Sequence, residues 1–420
     1  MTAKPIILYQ QTPLIHFQGT QRGATLRASE VKPKLDRWLK AKLESSEEGK
    51  EKLKRWSFDE NSPTALNYRL RIVAKGENLL EEWKRESIRS GFPNFFAELG
   101  DDPLPQHNYR VFTLHEQLAL IIESPHDDLI QKIKAEVMLF FHATNFGSRV
   151  SKGFGSFLPA GPIPNNYAFA FFVPERKHNY KSLFRHIEIL HRSIRTGLNC
   201  FKDFSDGYNE SFYQKPLIFE YARTESLVWE KKVYKEKHGA NEGFGMLARD
   251  LKDYENGLTP KEHWPLWYNE KAGARAKATV RDALGLSTNQ SWGKYPFEVK
   301  KESERIKRAP SPFTFVPVKL AGGFGVYVYA RQPEAVFLNH SFKVSMTYRN
   351  GGDKELQLKP FPGFQMRTFL QDYFKAERVA SMIRIKRRNL DLPIKKKLLQ
   401  TYSMIEQSLD RHEGEIPLLP

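Results

Sequence analysis

The hydrophobic periodicity of the first 175 residues switches between two and about 3.6, and this alternation limits the folds open to them. Residues 6–17 are rich in β-branched and aromatic side chains and read as a strand. A polar turn follows at 18–23. Leu35, Trp38, Leu39 and Leu43 then recur at helical spacing, so a helix is expected over Ala28–Leu43, with Pro33 in its first turn. Residues 44–55 are mostly charged and are expected to form a solvated connection. Residues 67–73 alternate as a half-buried strand does. Residues 76–106 read as an insertion, with a turn at 100–103. Tyr109–Glu123 alternates again, as one long strand or as a hairpin. Apolar residues at 129, 130, 133, 137, 140 and 141 predict a helix over 125–141, with Ser124 or Asp127 as its N-cap. A final strand is expected over 167–173. The resulting order, strand–helix–strand–strand–helix–strand, is ferredoxin-like.

Beyond residue 175 the pattern is less regular. A helix is expected over 180–198, a strand over 216–223, mainly helical structure over 224–286 and a basic connection over 302–308. A hairpin is expected over 311–329 and a strand over Phe342–Tyr348. Two helices, split near Pro393, are expected over 367–407; they carry the basic runs 384–388 and 395–397. The expected fold class is therefore α+β. Tandem ferredoxin-like (RRM-like) domains with helical insertions would occupy residues 1–175 and 176–420.

Lys and Arg number 66 against 49 Asp and Glu, a formal net charge of +17. Such an excess constrains partners rather than fold: nucleic acid, an anionic membrane or an acidic protein. The membrane is the weakest of these, because no apolar run reaches the ~18 residues of a span and no lipidation motif is present. The first residues lack a signal-peptide layout. The single cysteine, Cys200, rules out an intrachain disulfide and a cysteine-based metal cluster within one chain. A cytoplasmic protein is expected.

Two stretches join glycine to cations. The first, 146–157, has glycine at Gly147, Gly153 and Gly155, with Ser148, Arg149, Lys152, Phe154 and Ser156 between and beside them. Glycine permits positive φ and close approach, exposed N–H groups bind phosphate, Arg149 and Lys152 add charge, and Phe154 is positioned to stack on a base. An ordinary tight turn with two solvated cations is the plain alternative. Lys152-Gly153-Phe154-Gly155 matches the start of the RRM consensus, but it follows a predicted helix instead of lying in a central strand. A nucleotide-binding P-loop is excluded by spacing. The second stretch runs from Thr12 through Arg22 and Arg27 to Lys32, Lys34 and Arg37. A strand there leads through a turn into a basic helix start, which suits a backbone phosphate. The plain alternative is an amphipathic helix with a basic face.

His16, His142, His186 and His191 invite a metal-independent ribonuclease reading. His186 and His191 are five apart, a poor spacing for joint action, and solvated or core histidines explain them better. Asp36, Asp127, Asp128, Asp203 and Asp206 show no metal-ligand spacing. No catalytic residue, metal ligand or cofactor is assigned.

Taken together, these segments resemble a known family. Thr12-Pro13 closing the first strand, then the polar turn, Arg27 and the basic helix start, resemble the N-terminal signature of the RAMP superfamily of CRISPR-associated proteins. Residues 145–156, Asn-Phe-Gly-Ser-Arg-Val-Ser-Lys-Gly-Phe-Gly-Ser, resemble the glycine-rich loop of the first-subunit family of Cmr-type (type III-B) effector complexes. Residues 280–286 and 308–313 resemble later segments of that family. Lys152 departs from its usual arginine, and the turn at 18–23 lacks a paired-glycine form.

The resemblance implies two ferredoxin-like domains and a non-catalytic effector subunit in antiviral defence. Its implied partners are CRISPR guide RNA, target RNA and other effector subunits. Related proteins supply two alternatives: an endoribonuclease that processes guide precursors without metal, and a subunit that cuts target RNA with a loop aspartate. Asp36, the acidic residue nearest the N-terminal turn, falls inside the predicted helix.

Overall fold

A computed structural model describes residues 4–15, 25–59, 65–84, 109–175, 179–199, 212–228, 230, 276–286, 288–291, 297–348, 351–385, 393–412 and 415–419. Along the N-terminal part run β1 (Ile6–Gln10), α1 (Ala28–Leu43), α2 (Glu47–Arg55), β2 (Arg69–Lys84), β3 (Tyr109–Glu123), α3 (Asp127–Ala143) and β4 (Phe157–Pro159). The strands form one sheet in the order β2-β3-β1-β4. Every neighbouring pair is antiparallel, with Leu8 opposite Leu118, Tyr9 opposite Leu158 and Leu70 opposite Ile122. The expected interleaving of strands and helices is thus present. α1 and α3 bury Val31, Leu35, Leu39, Ile133, Val137, Phe140 and Phe141 in one core with Leu8, Leu118, Leu120 and Ile122.

Several elements depart from the sequence reading. The fourth strand is Phe157–Pro159, not 167–173; three buried residues are too few to show an alternation. Residues Phe169–Pro174 (β5) instead pair with the second strand of the hairpin Phe313–Leu320/Gly323–Ala330, Phe169 opposite Val328 and Phe171 opposite Val326. The charged stretch 44–55 is largely α2, because Gly49 and Leu53 on its inner side, followed by Trp56, are buried and dock it. Ser46 caps it, accepting from the Gly49 N–H. Pro33 lies inside α1, on its exposed side, not in the first turn. α3 is preceded by His126 without a side-chain cap, while Ser124 Oγ accepts from His126 N–H and donates to the Asn67 carbonyl. Tyr109–Glu123 is one strand. β2 runs on to Lys84 into the expected insertion, of which 85–106 lies outside the described residues.

The chain divides into two compact units. One comprises Met1–Glu188, Phe313–Arg331 and Gln407–Pro420; the other comprises Ile189–Pro312 and Gln332–Glu406. The first therefore includes the hairpin and the C-terminal segment, which a cut after residue 175 assigns to the second domain.

The second unit contains a four-stranded antiparallel sheet ordered Asn289–Ser291, Phe297–Glu302, Phe342–Tyr348, Gly351–Leu358. The strand expected over 216–223 is a helix, Leu217–Thr224, in which Leu217, Ile218, Phe219, Tyr221 and Ala222 are buried while Glu220, Arg223 and Thr224 line a more exposed side. The C-terminal region resolves into Met366–Tyr373, Ala376–Ser381, a strand Ile383–Ile385 and Pro393–Asp410. Of the mainly helical expectation over 224–286, residues 231–275 lie outside the described residues. The 3-10 turn Val280–Leu284 within it is anchored by buried ion pairs: Arg281 to Glu230, and Lys301 to Asp282 with both side chains fully buried. Among the described residues no helix is long and apolar enough to cross a membrane. The α+β class is as expected.

Candidate nucleic-acid interface

The glycine-rich loop is built from its two ends inward. Phe146 and Phe157 are both buried, their rings 6.2 Å apart, and Phe146 also meets Phe140 and Phe141 at the end of α3. The chain between must therefore leave the core and return within a few residues. It does so through left-handed backbone at Gly147, Arg149, Gly153 and Gly155. A Cβ at Gly155 would stand 2.0 Å from the Phe146 carbonyl oxygen, and one at Gly147 would stand 2.4 Å from that of Ile15, so only glycine fits either place.

The loop's N–H groups are largely consumed by the protein itself. Phe146 N–H donates to Gly155 O, Ser148 to Ile15 O, Gly155 to Pro13 O and Ser156 to Thr12 Oγ1. Gly147 N–H donates to the Glu30 carboxylate at 2.9 Å. Glu30 sits in the first turn of α1, where the helix dipole favours an anion. The protein's own carboxylate thus takes the place expected for a phosphate, and the expectation of a cradle of loop amides is corrected. Phe154 is corrected as well: it is 0% exposed and stacks on Phe184 at 3.7 Å and 7°, so its ring is not offered to a base. Ser156 is buried, its hydroxyl donating to Pro317 O, and Thr12 donates to Gly153 O.

The basic cluster on α1 splits into two roles. Lys34 donates to the Asn145 carbonyl at 2.8 Å and lies 4.7 Å from the Phe146 ring centroid; burial pushes its ammonium below the usual lysine range. Lys32 donates to Asp36 and to Leu66 O and stands 4.2 Å over Tyr68. Both lysines hold structure together. Arg27, immediately before α1, and Arg37 are exposed; Arg37 Nε donates to Pro33 O. Ser148, Arg149 and Lys152 are half-exposed at the loop apex. Asn145 fixes that apex by donating to Val150 O and to Phe315 O. Glu30 and Lys34 tie the loop to one flank of α1. The structure thus brings the loop and α1 together; Arg22 and His16 lie outside the described residues.

Of the histidines singled out, His142 and His186 are both buried. His142 is 1% exposed at the end of α3, and burial pushes it down to about 4, which keeps its imidazole neutral near pH 7. His186 is buried, with Nδ1 facing the Ser182 carbonyl on its own helix. Asp36 is buried against Lys32, and among the described residues no cluster of His, Cys, Asp or Glu is arranged to hold a metal. The sequence reading missed Glu30, whose carboxylate spacing to a loop 117 residues away leaves no local pattern. It also missed Phe58, considered below.

Comparison with known proteins bears on both halves of the chain. Residues 1–198 match the family model of the Cmr1 N-terminal domain, and residues 213–399 match that of the Cmr1 C-terminal domain. Cmr1 from Pyrococcus furiosus, in its apo crystal form, aligns over 79% of this chain and 88% of that one, at 12% identity and a TM-score of 0.30. The cryo-EM structure of the Type III-B Cmr-beta bound to cognate target RNA aligns over 37% of this chain, at 13% identity and a TM-score of 0.27. The chain spans 58% of the length of that relative. No curated protein sequence matches.

Proposed function

We propose that this chain, which belongs to the Cmr1 family, is an RNA-binding subunit of a type III-B CRISPR effector complex that contacts guide RNA or the guide–target duplex in antiviral defence. The observation that carries the reading is Arg149. It occupies left-handed backbone at φ +57°, a conformation that costs a side-chain-bearing residue about 1–2 kcal/mol and that glycine adopts freely. A turn selected for stability alone is best served by glycine there; a guanidinium held at a rigid, half-exposed apex suits a phosphate. Lys152 on the same apex and Arg27 and Arg37 on α1 extend the positive surface, consistent with the net charge of +17. Contact is through side-chain cations, with Gly147, Gly153, Gly155 and Ser156 shaping the loop beneath them.

The sheet order β2-β3-β1-β4 supports a ferredoxin-like reading of the N-terminal unit, whereas the strands of the second unit's sheet follow one another in chain order, so the tandem reading rests on the family resemblance alone. Other effector subunits are the protein partners in this reading, and the cytoplasm its location.

Salt-dependent affinity tests the proposal. For single-stranded RNA, log K against log salt falls by about 0.7 for each phosphate contact. Arg149→Ala with Lys152→Ala is expected to weaken binding and to flatten that slope by about 1.4. An unchanged affinity and slope would remove the loop from the interface.

A further inference from the structure

Phe58 is 62% exposed, whereas most other large rings among the described residues are buried. The backbone that carries it is fixed by its neighbours. Trp56, two residues earlier, is buried and donates from Nε1 to Asp128 at 3.0 Å. Ser57 bridges to Leu66 and donates from Oγ to Leu53 O, Asn67 N–H donates to Trp56 O, and Phe58 N–H donates to Ala65 O. The backbone up to and including the Phe58 N–H is thus held in place. An aromatic ring held in water costs free energy that burial or a ligand recovers.

Helix geometry relates Phe58 to the proposed interface. Val31, Leu35 and Leu39 face the core, so at about 100° per residue Pro33 and Arg37 lie on the crest of α1, which is exposed. Glu30 and Lys34 lie on one flank and hold the glycine-rich loop. Lys32 and Asp36 lie on the other. Lys32 donates to Leu66 O and stands 5.9 Å over the Phe58 ring, which places Phe58 on that second flank. The loop apex with Arg149 and the Phe58 ring therefore flank the same helix, a width of roughly 10–12 Å, with Arg37 between them.

We propose that Phe58 is a stacking platform for an unpaired base of an RNA strand that crosses the crest of α1 from the Ser148–Lys152 apex. This rests on the RNA-binding reading above and deepens it. Charge favours a base over an apolar protein segment: the exposed Arg27 and Arg37 at α1, with Arg149 and Lys152 at the loop apex, suit a strand whose phosphates alternate with flat π-faces. Stacking tolerates every base, so the site adds affinity without reading sequence.

The test compares Phe58→Ala and Phe58→Trp in the full chain, by fluorescence anisotropy with a labelled single-stranded oligouridine and with an abasic oligonucleotide of equal length, across a salt series. Phe58→Ala is expected to bind oligouridine roughly 5- to 150-fold more weakly, a range set by stacking of about 1–3 kcal/mol per base. The salt slope and abasic affinity should be unchanged, because no phosphate contact is lost. Phe58→Trp should restore binding. Wild-type affinity for oligouridine in Phe58→Ala overturns the platform and leaves the RNA-binding reading standing. So does a Phe58→Ala defect confined to assembly with protein subunits. Failure of the unmodified chain to bind RNA in a salt-dependent way overturns both.

Discussion

At the residue scale, the loop separates positions that hold the fold from positions that face outward. Gly155 and Gly147 belong to the first kind. An alanine at Gly155 would collide with a backbone carbonyl and adopt φ near +68°, so Gly155→Ala is expected to cost at least about 2–3 kcal/mol in chemical denaturation. Arg149 belongs to the second. Arg149→Gly relieves the left-handed backbone, so its thermal midpoint should be no lower than that of the parent while its RNA affinity falls. A parallel loss of midpoint and affinity would mark Arg149 as structural. His142 supplies a pH test. Its folded-state value of about 4 lies below the ordinary 6.5. Above pH 6.5 it is neutral in both states; as pH falls from 6.5 toward 4 the unfolded chain takes up a proton that the folded chain refuses, and stability drops. His115, also pushed down by burial, adds in the same direction. Melting between pH 7.5 and 4.5 should therefore show a shallower acid slope in His142→Leu than in the parent.

At the scale of elements, Phe154 shows how a motif read from spacing is reassigned by packing. Its stack on Phe184 belongs to the core, and Phe154→Ala is expected to cost about 3–5 kcal/mol, seen as a lowered denaturation midpoint with a milder loss for Phe154→Leu. The helix patterns of α1 and α3 were legible because Leu35, Leu39 and Leu43, and Leu129, Ile133, Val137 and Phe141, recur every fourth residue. β4 was not, since three residues carry no period and its pairing with β1 is set by where the glycine turns deliver the chain. The 217–224 helix was misread as a strand because eight residues make barely two turns, too few for its polar side, Glu220, Arg223 and Thr224, to establish a helical period. The cations of the candidate interface were legible as a cluster, but their division was not. Lys32 and Lys34 differ from Arg37 only in which carbonyls and rings lie within reach, and those carbonyls come from Leu66 and Asn145, remote in sequence.

At the scale of the whole molecule, the excess of positive charge is not spread evenly between solvent and core. In the second unit Lys301 and Asp282 form a fully buried pair beside Arg281 and Glu230. Such pairs cost desolvation and punish the loss of one partner. Lys301→Met is therefore expected to destabilise the protein by about 3–5 kcal/mol, and Lys301→Met with Asp282→Leu to recover part of that loss in a double-mutant cycle. The segment 280–286 that resembles the Cmr-type family is thus anchored as an internal support, whereas the loop at 145–156 combines internal support with an outward apex.

The central claim is that RNA runs over this apex and the crest of α1. Photocrosslinking of the full chain to a 4-thiouridine-substituted single strand, with the modified peptides located by mass spectrometry, tests it most directly. Crosslinks are expected in peptides spanning 144–152 and 27–37, lost at high salt. Crosslinks confined to the second unit, with none in either peptide, would contradict it.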